Sequence, residues 1–142
     1  MIRLRYDEES RPGYASTYSA GCDLKARTGG VIEPGQVALV PTGVFIEGFD
    51  SSAFPAGTYP ELQIRARSGL ARKHGITLAN GVGTVDADYP DEIGVLLLNT
   101  SATTFSFSKG ERIAQMVLSL VARIPGLPVG GDRQGGFGST GK

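Results

Sequence analysis

The chain has one cysteine, one histidine and no net charge in its 142 residues, with 14 lysines and arginines set against 14 aspartates and glutamates. The lone Cys22 excludes an intrachain disulfide and any Cys-type metal site, and nothing in its usage points to an oxidising compartment. Its neighbours do not mark it as a nucleophile, so a buried or half-buried structural thiol is expected. The charge balance, with a pI near 6.6, disfavours nonspecific nucleic-acid binding, which needs a basic excess. A small anionic ligand needs only a few local cations and stays open. No apolar run approaches the roughly 20 residues of a membrane-spanning helix. The start, Met1-Ile2-Arg3-Leu4-Arg5, has no signal-peptide pattern. A soluble chain is expected, cytoplasmic or acting inside a host cell if virally encoded. With His74 alone, no spacing resembles a zinc site and no Ser-His-Asp arrangement can be read. His74 follows Arg72-Lys73 near the end of a short helix and reads as solvated or capping.

What the chain does have is glycine, 21 residues of it, and eight prolines, which imply many turns between short elements. Between them, apolar and polar residues alternate with the period of a strand. Ile2–Tyr6, Asp23–Ala26, Val31–Glu33, Leu62–Arg67, Ile76–Leu78, Val82–Val85, Ile93–Asn99, Thr104–Phe107 and Arg112–Leu120 all read as strands. Val37–Glu47 reads as a long extended stretch broken by Pro41 and Gly43, suited to an edge or a bend. Only Ser68–His74 reads as helix. Short strands at 8–12-residue spacing predict an all-β fold, a sandwich or jelly-roll-like barrel, in a single domain. The body should cover residues 1–124, with an arm over 125–142 that begins Pro125-Gly126-Leu127-Pro128.

Five segments can carry chemistry. Arg65-Ala66-Arg67-Ser68-Gly69 ends a strand in arginine and opens a helix at Ser-Gly, where free N–H groups, a hydroxyl and a guanidinium suit a phosphate. An N-capping serine beside a surface arginine is the plainer alternative. In Asn80 to Tyr89, Asp86 and Asp88 would share a strand face, so one carboxylate can act as general base on a water. Tyr89 can pack on a ring. Solvated aspartates in a hairpin turn are the alternative. Asp23, just inside a strand after Ala20-Gly21-Cys22, reads either as an acid for chemistry or as a turn-stabilising residue. Gly110 to Met116 alternates polar with apolar residues and reads as an ordinary half-exposed strand. Last comes Arg133-Gln134-Gly135-Gly136-Phe137-Gly138-Ser139-Thr140-Gly141-Lys142. Glycine is costly to order, so such an arm needs a compensating contact, and N–H groups, hydroxyls, cations and one aromatic suit a polyphosphate and a base. A frayed terminus is the alternative.

Taken in this order, the five segments resemble the five motifs of the trimeric dUTP diphosphatase (dUTPase) family. Ala20–Leu24, Arg67–Ala71, Asn80–Tyr89, Gly110–Gln115 and Arg133 with Gly135–Gly141 carry the likeness over nearly the whole chain. The resemblance implies hydrolysis of dUTP to dUMP and pyrophosphate by Mg²⁺-assisted water attack on the α-phosphate. That activity keeps uracil out of DNA and supplies dUMP for dTMP synthesis. It implies Asp86 as the catalytic base, and Asp23 as a ligand of Mg²⁺ through water. Arg67, Ser68, Gly69 and Gln115 would hold the phosphates and water. Asn80, Gly83, Thr84 and Val85, with Gly94 on the returning strand, would read uracil. Tyr89 would pack under the deoxyribose, Phe137 would cover the base, and Arg133, Gly138, Ser139 and Thr140 would close on the phosphates. The implied fold is a jelly-roll-like β-barrel of the β-clip type with a mobile arm. The implied assembly is a homotrimer with shared active sites, binding dUTP and neither nucleic acid nor membrane.

The chain departs from the family pattern at Ala66, where proline is common, and at Pro90-Asp91, where Arg-Gly is common. Arg133 lies four residues before Phe137, where five is usual. A dCTP deaminase-related enzyme would replace Asp86-Ala87-Asp88-Tyr89 with an Asp-Pro-Gly-Phe-like turn, and a non-catalytic regulatory β-sandwich would lose the base or the arm. Both features are present here.

Overall fold

The structure is a computed structural model that describes residues 1–131 and 136. Eleven strands occur among them: β1 (Ile2–Arg5), β2 (Gly13–Tyr14), β3 (Cys22–Lys25), β4 (Gly30–Ile32), β5 (Val37–Phe49), β6 (Thr58–Ala66), β7 (Ile76–Leu78), β8 (Gly83–Asp86), β9 (Glu92–Asn99), β10 (Phe105–Phe107) and β11 (Arg112–Ala122). The helix α1 spans Ser68–His74, and a short 3₁₀ turn covers Ser51–Ala53. No helix among the described residues is long and apolar enough to cross a membrane.

The all-β expectation holds, in a jelly-roll-like arrangement, but the described strands do not close into a barrel. They form a four-stranded sheet in the order β1-β5-β9-β7, a five-stranded sheet β2-β3-β11-β6-β8 and a small pair β10-β4. The two larger sheets are antiparallel throughout and enclose one apolar core. Period-2 alternation decides which side chains enter it. On β9, Ile93, Val95 and Leu97 are each at most 1% exposed while the residues between them are half-buried. Leu62 and Ile64 of β6, Ala114 and Met116 of β11, and Leu24 of β3 meet them from the opposite sheet.

One sequence expectation holds and a second changes. Strand β1 pairs only with Phe45–Phe49 of β5, so the stretch around Pro41 and Gly43 has a strand ladder to β9 alone and bulges there, as an edge or a bend would. A proline is tolerated at such a place, where ladder pairing is already interrupted. Second, β8 and β9 are not partners in a hairpin: β8 pairs with β6, and β9 with β5 and β7. Residues 87–91 therefore carry the chain from one sheet to the other. Strand β8 ends at Asp86, with Ala87 and Asp88 in the turn, so the two aspartates do not share a strand face.

The expected helix α1 matches residue for residue, though its cap differs. Arg67 is the N-cap and makes no side-chain cap bond, so Ser68 is the first helical residue and not the capping one. The helix stops at Gly75, whose φ of 64° is left-handed and whose N–H returns to Ala71 and Leu70. Cys22 is the buried thiol expected, with its Sγ 3.5 Å from the Met116 carbonyl. His74 is exposed in the last turn, its ring 5.4 Å from that of Phe105.

Candidate active site

Where the chain crosses between sheets, a cavity of about 170 Å³ opens, lined by Ile64, Asn80, Gly83, Thr84, Val85, Tyr89, Ile93 and Gly94. Six of these are residues singled out in the sequence, drawn from the β7–β8 turn, β8, the 87–91 crossover and β9. Asn80 stands in the tight turn joining β7 to β8, closed by Gly81 N–H donating to the Leu78 carbonyl at 3.2 Å. Gly81 has φ of 71°, which few other residues accept. Gly83 opens β8 where a Cβ would come within 3.1 Å of Ile64 and 3.4 Å of the Asn80 amide. Glycine there lets the backbone of β8 lie close against Ile64 and the Asn80 amide at the cavity wall.

Tyr89 closes the pocket. It is 7% exposed, its N–H donates to the Asp86 carbonyl at 3.0 Å, and its hydroxyl lies 3.4 Å from the Glu92 carbonyl. Burial pushes its phenol up, and the Asp91 and Glu92 carboxylates add to the rise, so the ring remains neutral at physiological pH. Gly136 of the arm reaches this same ring: a Cβ on it would overlap the Tyr89 ring and lie 2.8 Å from the hydroxyl oxygen. Asp86 terminates β8 beside the cavity, directly opposite Glu61 of β6.

A second group forms at the other end of the five-stranded sheet. Asp23 of β3 stands opposite Gln115 of β11, and Gln115 in turn opposite Arg65 of β6. The Asp23 side chain is 9% exposed and lies between two guanidiniums, Arg67 Nε at 3.3 Å and Arg112 Nη1 at 3.0 Å. Arg67 also donates through Nη1 to the Arg112 carbonyl at 2.8 Å. Ser68 and Gly69 follow at once on the exposed first turn of α1, where N–H groups have no intrahelical partner. Gly21 is required just before, since a Cβ would press within 3.2 Å of Gln115 and Val117. Arg112 was not singled out in the sequence. Its signal was its place in the strand facing Asp23, legible only once the pairing is known.

The two groups do not meet within one chain. Asp23 and Asp86 are three strands and four residues of register apart. Strand spacing near 4.8 Å and a rise near 3.3 Å per residue make that roughly 20 Å between backbones. Arg133, Phe137, Gly138, Ser139 and Thr140 lie outside the described residues.

Comparison with known proteins agrees across the whole chain. The dUTPase family model matches residues 7–141. A deoxyuridine 5'-triphosphate nucleotidohydrolase of Rhizobium meliloti (strain 1021) is 46% identical, covering 99% of this chain and 89% of that protein. The crystal structure of dUTPase from Streptococcus mutans superposes with a TM-score of 0.74 at 30% identity, over 88% of this chain and 98% of that one. A mutant dUTPase from phage phi11 of S. aureus shares the fold at 20% identity, with a TM-score of 0.73 over 91% and 96% of the two chains. That structure concerns the coordination of a structural Mg(II) ion.

Proposed function

The chain belongs to the dUTPase family and its activity is the hydrolysis of dUTP, and we propose that Asp86 is the base for the water that attacks the α-phosphorus. The supporting observation is the cavity that gathers Asn80, the Gly83–Val85 strand, Tyr89 and Gly94 beside Asp86. Backbone N–H and C=O groups along Gly83–Val85, with the Asn80 amide, present the donors and acceptors that uracil's pairing edge requires. Cytosine would bring its exocyclic amine against a donor, and the unpaired groups that result make the rejection large. Tyr89, packed under the deoxyribose, leaves no room for a 2′-hydroxyl.

Arg67, Ser68, Gly69 and Gln115 are proposed to hold the triphosphate. The forked guanidinium of Arg67 has donors beyond the two engaged with Asp23 and Arg112. Arg133, Gly138, Ser139 and Thr140 would close over the phosphates and Phe137 over the base. Gly136 against Tyr89 supports that placement of the arm.

Mg²⁺ is the proposed cofactor. No three His, Cys, Asp or Glu groups among the described residues could cage a metal, which suits a hydrated ion carried mainly by the triphosphate. Asp23 Oδ1 is buried and accepts no hydrogen bond among the described residues, although Arg67 Nε lies near it. An acceptor in that condition fits a water of the ion's hydration shell. When bound, the ion neutralises phosphate charge and polarises the phosphoryl oxygens, leaving little covalent chemistry to the protein.

The assembly is proposed to be a homotrimer in which Asp86 of one copy meets Asp23, Arg67 and Gln115 of another. A base must stand within about 3 Å of the water it activates, or reach it through one further water. The roughly 20 Å estimated between the two groups on one chain, from sheet spacing and rise, exceeds any side chain's reach. A cytoplasmic location, or the interior of a host cell, remains proposed on the same reading.

The test is to supply each dNTP with Mg²⁺ and follow pyrophosphate and ammonia. Pyrophosphate should come from dUTP alone. Its absence would refute the activity, and ammonia from dCTP would point to a deaminase. Asp86→Asn should abolish turnover yet retain a non-hydrolysable dUTP analogue. Comparable turnover in that variant removes Asp86 as the base.

A further inference from the structure

Behind the base pocket, on the far side of β9, strand β5 changes register. It pairs with β9 from Val37 opposite Leu98 to Pro41 opposite Gly94, then resumes with Phe45 opposite Glu92. Thr42, Gly43 and Val44 therefore stand against Ile93 alone. A bulge of this size strands ladder donors and acceptors, and here side chains take them up. Thr42 Oγ1 donates to the Ile93 carbonyl at 2.6 Å and accepts from Val44 N–H at 3.2 Å. Glu92 Oε1 accepts from Gly43 N–H at 2.6 Å, while Arg27 Nη1 lies 3.4 Å from Glu92 Oε2. Gly43 has φ of 73°, and a Cβ there would overlap the Ser10 side chain. The bulge thus tolerates little change in sequence.

The residues it grips belong to the pocket. Ile93 and Gly94 are part of the cavity wall, and the Glu92 carbonyl faces the Tyr89 hydroxyl. Thr42 itself is 0% exposed and lines no part of the cavity. Its hydroxyl bonds the very carbonyl that the bulge would otherwise leave unpaired in a dry interior, where an unmet acceptor is costly.

We propose that Thr42, seconded by Glu92, is a positioning residue for base selection. The two hold the Ile93–Gly94 backbone at the setting from which the pocket accepts uracil and refuses cytosine. The inference rests on the reading of this cavity as the base site.

The test compares Thr42→Val, similar in shape but without the hydroxyl, with Thr42→Ser, which keeps it. Losing one buried hydrogen bond to the pocket wall should raise the dUTP KM about five- to tenfold and shrink the dUTP-to-dCTP ratio of kcat/KM by a similar factor. The kcat for dUTP should change much less. Thr42→Ser should restore both. Glu92→Ala, at a partly exposed side chain, is the second variant should Thr42→Val fail to fold, with a smaller change in the same direction. A purely structural role would lower the melting temperature while KM and the dUTP-to-dCTP ratio per active site stay at wild-type values, and that result overturns the proposal. Failure of the wild-type protein itself to hydrolyse dUTP would overturn the function and not the positioning role in particular.

Discussion

If the base and the phosphate-binding residues come from different copies, two dead variants should rescue each other. Take Asp86→Asn, which lacks the proposed base, and Arg67→Ala, which lacks the guanidinium beside Asp23. Each alone should be inactive. The structure sets the stakes through the sheet register, which holds Asp23 and Asp86 roughly 20 Å apart within one chain at ordinary strand spacing and rise. Mixed one to one and reassembled at random, a site draws an intact Asp86 with chance one half and an intact Arg67 from a different copy with chance one half. Head-to-tail contacts in a closed ring make those choices independent, so activity should recover to about 25% of wild type. The assay is pyrophosphate release from dUTP after joint refolding or co-expression, with light scattering to establish that mixed oligomers formed. Activity no higher than the sum of the two parents, in confirmed mixed oligomers, would refute the shared site and place both functions in one chain.

Removing residues from Gly135 onward should cripple dUTP turnover while the folded body keeps its circular dichroism and melting temperature; full activity would return the arm to a frayed terminus. Asn99→Asp should destabilise the protein by about 2–4 kcal/mol, because the buried Asn99 Nδ2 donates at 2.8 Å to both the Ile32 and Thr103 carbonyls and a carboxylate cannot. Burial should raise the new acid's folded pKa above its ordinary value of about 3.9, so the loss should grow as pH rises through that folded value and shrink in acid. Cys22 is pushed above its ordinary 9.0 chiefly by burial, with the Asp23 charge adding, so iodoacetamide at pH 8 should label it far more slowly in the folded than the denatured protein. The same shift makes its contribution to stability complete below pH 9.0 and lost as pH climbs through the folded value.

Much of the local structure was legible in advance because it depends on neighbours in the chain. The alternation in Leu62–Arg67 and Ile93–Asn99 is a strand's period, and it placed β6 and β9 to within a few residues. The helix Ser68–His74 and strand Ile76–Leu78 matched at both ends. Strand β2 was missed, since Gly13–Tyr14 is two residues long and both are exposed. Pairing partners were less accessible. The sequence from Val82 to Asn99 reads as a hairpin, yet β8 turns to β6 because Val85 and Gly83 meet Leu62 and Ile64 there. Hydrogen-bond partners across a sheet are chosen by packing far along the chain, which no local period encodes.

The sequence by itself determined an all-β chain without a disulfide, and it held the residues proposed for a nucleotide pocket, phosphate contacts and a base. Composition excludes, and motif order assembles, because both are properties of the linear chain. Only the tertiary structure decided where those residues stand. It set Asn80, Gly83, Tyr89 and Gly94 around one cavity, bound Asp23 between Arg67 and Arg112, and used Thr42 to fasten the pocket wall. It also separated Asp86 from Asp23 by the width of a sheet. Backbone hydrogen bonds impose that separation through strand register, and register is fixed by which side chains the core accepts.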